Sequence, residues 1–202
     1  MMKKQSGFSL IELVIVIVIL GLLAATAIPR FLNVTEEAEN ASLDGVAGGL
    51  STAVGFVRAQ WEVDGRRNTS VILDGTSVAL DTRFGFPIGI DNSTDVTTMT
   101  DESCQAVFNS ILQSAPRNVL STEDARKQRY TVRVINGVGG SATAIDGTVV
   151  NGIDLCVYHQ VASLALNANT GIPNPNPDLN TAGANGITYN PGTGQVLSFS
   201  NN

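Results

Sequence analysis

Residues 8–28 read FSLIELVIVIVILGLLAATAI, an apolar run broken by a single charge, Glu12, and preceded by MMKKQSG. As a helix these residues rise about 31 Å, enough to cross the hydrocarbon core of a bilayer. An ionisable side chain inside such a run costs about 2.5–3.5 kcal/mol on insertion scales, so Glu12 reads as a functional group in need of a partner. Lys3 and Lys4 place the N-terminus in the cytoplasm by the positive-inside rule and the rest of the chain across the membrane. A secretory signal would have a shorter apolar stretch with a cleavage site after it. Here the only good junction lies before the run, at Gly7-Phe8. A glutamate snorkelling from an ordinary single-span anchor is the plainer alternative.

At this junction Gly7, Phe8, Ser9, Leu10, Ile11 and Glu12, with the aliphatic run, Gly21 and Pro29 behind them, resemble the type III leader of type IV pilins and type II secretion pseudopilins. The resemblance implies cleavage between Gly7 and Phe8 by a prepilin peptidase and N-methylation of Phe8. It further implies that Glu12 pairs with the terminal amine of a neighbouring subunit during assembly. A charge buried among apolar helices needs such a partner, and the α-amine of Phe8 is the cation the mature segment offers. Pro29 removes a backbone donor, so a kink or local break is expected there, with Gly21 a second weak point. The resemblance implies that the helix from Gly21 to Pro29 loosens when subunits pack.

Composition narrows the function classes. The 202-residue chain has a net charge of −6, and without Lys3 and Lys4 the side chains comprise 10 basic and 18 acidic groups. That acidic balance argues against nucleic-acid binding, which needs a basic stripe. Cys104 and Cys156 lie on the exported side, where an even count reads as one disulfide, with two buried free thiols as the alternative. The resembling pilins commonly bridge this region in the same way.

From Leu43 the apolar residues Val46, Leu50, Val54, Val57 and Trp61 recur at three or four, one stripe of an amphipathic helix that Asp64-Gly65 ends. Trp61 on this stripe reads as core. Gly45, Gly48, Gly49 and Gly55 weaken the helix and suit close packing, on a neighbouring subunit or on the sheet. Residues 70–73 and 76–80 flank Asp74-Gly75, a hairpin signal. Residues 81–99 read as irregular, and 101–113 as a short helix with Cys104, Val107, Phe108, Ile111 and Leu112 on one face. Strands are expected at 129–136, 141–145 and 152–160, followed by an Asn- and Pro-biased segment at 167–186. A terminal hairpin of 187–190 and 195–199 closes the chain.

Other motifs carry little. Asp91, Ser93, Asp95 and Glu102 echo a calcium loop, but Val96 stands where that loop needs glycine. His159 is the sole histidine and reads as a satisfied or exposed strand residue. No nucleophile elbow appears, and Gly137–Gly140 lacks the lysine of a phosphate loop. Neither a cofactor nor a metal is implied.

The ending Ile187-Thr-Tyr-Asn-Pro with Gly194 and Val196, together with Pro29-Arg-Phe, the Val57–Trp61 stretch and the cysteine pair, resembles mannose-sensitive haemagglutinin (MSHA) pilins. The fold expected is α+β, a long N-terminal helix packed on an antiparallel sheet with one disulfide. Residues 1–7 form a leader, 8–30 a membrane and filament-core helix, and 31–202 an exported globular domain. The implied function is structural: a subunit held in the bacterial inner membrane, then self-associated into an extracellular pilus by its assembly machinery. It would adhere to a surface or a cell-surface carbohydrate and would not be an enzyme. A pseudopilin of a type II secretion system is the alternative, opposed by the disulfide and the long region after Cys156.

Overall fold

The computed structural model describes residues 8–89 and 95–201. A single long helix, α1 (Leu10–Val63), opens the chain. The chain divides into two compact units, Met1–Ser42 and Leu43–Asn202.

In the first unit the described residues are helical from Leu10 onward, and every described side chain from Phe8 to Ala38 is exposed. The Val and Ile run of residues 14–19 has poor intrinsic helix propensity in water. In hydrocarbon the preference reverses, because a helix satisfies every backbone group within one segment. Pro29 sits inside α1, which is helical on both sides of it.

In the second unit α1 turns one stripe inward: Leu43, Ala47, Leu50, Val54, Val57 and Trp61 are buried. The helix stops in a Schellman motif, in which Arg66 N–H donates to Trp61 O at 3.0 Å and Gly65 N–H to Glu62 O at 3.2 Å. Gly65 takes the required left-handed conformation, at φ 81°. The Trp61 indole N–H reaches Asn68 O at 3.0 Å. Gly85 lies flat against that ring, and a Cβ there would overlap it. Of the stripe's glycines, Gly49 alone comes near a neighbour, Leu112; Gly45, Gly48 and Gly55 face open space. Contact with the sheet therefore does not explain these three.

Ten strands follow. β1 (Ser70–Leu73), β2 (Thr76–Asp81) and β3 (Phe86–Gly89) form an antiparallel sheet in that order. Asp74 and Gly75 have φ values of 48° and 83°, the turn the hairpin signal called for. β3 falls in a stretch expected to be irregular. Its pairing places Pro87 opposite Leu80 across a register shift, so a proline hides an edge strand from pattern reading.

α2 (Asp101–Ile111) is capped by Thr100, whose hydroxyl accepts from Ser103 N–H while the Ser103 hydroxyl oxygen accepts from Thr100 N–H. It buries Cys104, Val107, Phe108 and Ile111, and it ends before Leu112, whose backbone is extended. The remaining strands are β4 (Asn118–Leu120), β5 (Tyr130–Ile135), β6 (Ser141–Thr143), β7 (Val149–Asn151), β8 (Leu155–Gln160), β9 (Asn185–Tyr189) and β10 (Val196–Ser200). Five of them make one sheet in the order β10-β9-β8-β5-β4, and β6 and β7 form a separate ribbon. Pairing is antiparallel throughout except at the edge, where β4 runs parallel to β5.

The core lies between α1, α2 and the inner face of this larger sheet. Tyr130, Val132, Tyr158, Ile187 and Tyr189 point inward by strand alternation. Phe108 stacks on Tyr158 with ring centroids 4.5 Å apart. Two of the three buried tyrosines donate their hydroxyls to carbonyls, Tyr158 to Cys104 O at 2.9 Å and Tyr189 to Pro87 O at 2.8 Å.

Candidate functional site

Glu12 stands in the first turn of α1. Its Oε2 accepts from Ser9 N–H at 2.8 Å and from the Ser9 hydroxyl at 2.7 Å, while Glu12 N–H reaches back to Ser9 Oγ at 3.3 Å. This is a capping box, in which two N–H groups left unpaired by the helix start are satisfied reciprocally. The spelling Ser9-Leu10-Ile11-Glu12 is the signature of that motif, so the signal for Ser9 was present in the sequence. Glu12 therefore has a local partner within its own chain, and its carboxylate sits at the positive end of the helix dipole. The same end of the helix carries Phe8, 87 % exposed, and a continuous apolar surface.

Gly7 lies outside the described residues, so the junction is seen only from its Phe8 side. Gly21 and Pro29 both lie within α1, and a Cβ at Gly21 would meet nothing within 4 Å. The helix between these positions holds side-chain bonds of its own, such as Thr26 Oγ1 donating to Leu23 O at 3.0 Å.

In the second unit Cys104 and Cys156 form the expected disulfide, joining α2 to β8 with Cα atoms 5.4 Å apart. Both residues are fully buried. Around this bridge two buried carboxylates, which sequence reasoning missed, organise the loops. Asp154 accepts from Met99 N–H through Oδ2 at 2.9 Å and from Gly137 N–H through Oδ1 at 2.8 Å. Asp81 accepts from Arg83 and from Val96 N–H, the latter at 3.0 Å. No local pattern announces such long-range acceptors.

Losing the Asp154 carboxylate leaves two loop N–H groups without acceptors, at about 1–3 kcal/mol each. An Asp154→Ala variant should therefore lose about 3 kcal/mol of stability in urea unfolding. A loss under 0.5 kcal/mol would remove Asp154 from this role.

Asp95, a member of the calcium-loop echo, is already occupied. Arg83 Nη2 donates to its Oδ1 at 2.7 Å and Thr97 N–H at 2.9 Å. Burial pushes the Asp95 carboxyl up, but the bonds from Thr97 and Arg83 outweigh it and hold the group below the ordinary range. Asp91 and Ser93 lie outside the described residues. Among the described residues no group of three or more His, Cys, Asp or Glu side chains could hold a metal ion.

His159 is neither exposed nor fully satisfied. It is buried on the sheet's outer face, with Nε2 bonded to Asp178 O at 3.1 Å and Nδ1 lacking a partner among the described residues.

Comparison with known proteins bears on the N-terminal region. Residues 2–28 match the family described as the prokaryotic N-terminal methylation motif. The chain is 44 % identical over 57 residues to the type IV narrow pilus major component PilA5 of Thermus thermophilus, covering 28 % of this chain and 49 % of that one. It is 36 % identical over 80 residues to a fimbrial protein of Moraxella nonliquefaciens, covering 40 % and 47 %. A fimbrial protein of Pseudomonas aeruginosa is 59 % identical over 34 residues, 17 % of this chain and 22 % of its own. The chain thus spans about half, or less, of the length of the curated relatives it matches. No solved structure matches it significantly. With a methylation motif at its start, an uncovered apolar helix behind it and these relatives, the chain is type IV pilin-like in its N-terminal region.

Proposed function

We propose that this chain is a structural subunit, major or minor, of a type IV pilus of the MSHA kind. The leader of residues 1–7 is removed between Gly7 and Phe8, and the new terminus is methylated on Phe8. Before assembly residues 8–30 hold the subunit in the bacterial inner membrane, with residues 31–202 exported. During assembly the same apolar helix becomes filament core, and Glu12 exchanges its bonds to Ser9 for the Phe8 amine of a neighbouring copy. The stretch from Gly21 to Pro29 is where α1 yields when copies pack. The role is structural and not catalytic.

The observation that carries this reading is the apolar helix itself. From Phe8 to Val34 its large aliphatic side chains are exposed, a surface far larger than a soluble monomer leaves uncovered. Lipid can cover it before assembly, and copies of the same helix can cover it afterwards. The MSHA assignment rests on the terminal Ile187–Pro191 phrase and the other residues quoted with it, and adhesion to a surface or a sugar is the role it brings.

Electron microscopy of sheared surface filaments, with mass spectrometry of their main subunit, tests the reading. The expected subunit begins at an N-methylated Phe8. An unprocessed chain recovered only from the membrane fraction would overturn it.

A further inference from the structure

The face of the five-stranded sheet turned away from the core carries Thr131 and Arg133 on β5 and Val157 and His159 on β8, with Thr131 directly opposite His159. The Phe199 ring of β10 meets the imidazole edge-on at 5.7 Å. Residues 174–183 run over this face as a strap, held chiefly through their carbonyls. His159 Nε2 bonds Asp178 O at 3.1 Å, Arg133 Nη1 donates to Pro177 O at 2.8 Å, and Asn201 Nδ2 donates to Leu179 O at 2.7 Å. Of the strap's own residues only Pro177 is buried. A segment with so few buried apolar contacts opens at low free energy.

The imidazole is suited to this place only when neutral. Nε2 donates to the Asp178 carbonyl, which leaves Nδ1 as a lone pair with no partner among the described residues, in a side chain that is fully buried. A second proton would create a buried N–H and a buried positive charge. Two charged groups face it, Arg133 from β5 and Asp178 from the strap. Arg133 repels an imidazolium, and the Asp178 carboxylate is turned onto its own turn, accepting from Asn180 N–H at 2.8 Å and Thr181 Oγ1 at 3.1 Å. β9 and β10 contribute Gly186 and Phe199, which do not titrate. Burial pushes the His159 imidazole below its ordinary value, assisted by Arg133 and opposed by the Asp178 carbonyl and carboxylate.

We propose that His159 is an acid-sensitive latch whose protonation releases the strap 174–183 from the outer face of the sheet while the core on the other face stays folded. The step is the uptake of one proton at Nδ1, with water reaching the imidazolium once the strap lifts. The closed form is favoured fully above the ordinary histidine value near 6.5 and loses ground as pH falls below it toward the depressed closed-state value. One proton changes the opening constant by at most tenfold per pH unit.

The sole histidine gives a single imidazole resonance, so NMR titration of the full-length chain in detergent micelles reads its midpoint directly. Amide exchange over residues 174–183, corrected for intrinsic rates between pH 7.5 and 4.5, reads the strap. The expected result is loss of strap protection by tenfold or more, tracking the imidazole titration, while protection of β5 and β8 is unchanged. His159→Gln, which keeps a donor but cannot titrate, should make strap protection independent of pH. An imidazole that titrates with no change in the strap, its Nδ1 proton taken by Thr131 Oγ1, would overturn the proposal. So would the same pH dependence in His159→Gln. If that variant does not fold, agreement or disagreement of the two midpoints in the native chain decides the matter.

Discussion

A Glu12→Ala variant should insert in the inner membrane at least as well as the native chain and yield few or no filaments. Removing a carboxylate from an apolar span relieves an insertion cost of about 2.5–3.5 kcal/mol, so the anchor is improved. In an assembly of packed helices the same change deletes the partner proposed for the Phe8 amine and leaves that amine buried and unpaired, at about 3 kcal/mol or more. Each added subunit incurs this loss, which lowers its affinity for the growing end by ~100-fold or more. Glu12→Gln separates charge from capping. An amide oxygen can still accept from Ser9, whose bonds to Glu12 are 2.7–2.8 Å long, but it cannot neutralise an amine. Both variants should therefore fail in sheared-filament yield while fractionating normally with the membrane. Abundant pili from the alanine variant would remove the pairing from the account.

The second large effect concerns the bridge between α2 and β8. A Cys104→Ala/Cys156→Ala double variant frees a loop of 52 residues in the unfolded chain. In the chain-entropy model that cross-link stabilises by about 4 kcal/mol, a large part of the 5–15 kcal/mol that holds a typical domain. The urea midpoint of the variant should fall by roughly 2 M. Because both cysteines are fully buried, reductant should attack the native bridge only as fast as the domain opens. A midpoint shift below about 0.5 M would show that packing among Phe108, Tyr158 and the α1 stripe already suffices.

These residues show what pattern alone could reveal. The α1 stripe from Leu43 to Trp61, the stop at Gly65, the hairpin about Asp74-Gly75, the face of α2 and the cysteine pair were legible because each rests on local periodicity, turn chemistry or a count of two. β4 and β7 were not, although the equally short β6 was, because three positions are too few for alternation to decide. β4 is also stabilised by a parallel partner that the local sequence cannot name. β3 was hidden by Pro87. Asp81 and Asp154 looked like surface charges until folding brought distant N–H groups to them. Ser9 differs from these, because its capping role is spelled out locally by the Ser9-to-Glu12 spacing and needs no distant partner.

The order of the sheet bears on when this domain can fold at all. β9 and β10, the last two of the described strands, supply one end of the sheet, and Tyr189 closes onto Pro87 across 102 residues of chain. Ser198 reaches back 154 residues to Asp44 on α1. In a chain exported as proposed, with its N-terminus kept in the cytoplasm, the α1 stripe emerges while its covering strands are still to come. Such remote pairings slow folding toward the millisecond-to-second range and prolong the exposure of apolar surface. The closing hairpin therefore sets the timing. On the proposed function, an exported subunit keeps its α1 stripe uncovered until the β9–β10 hairpin has arrived.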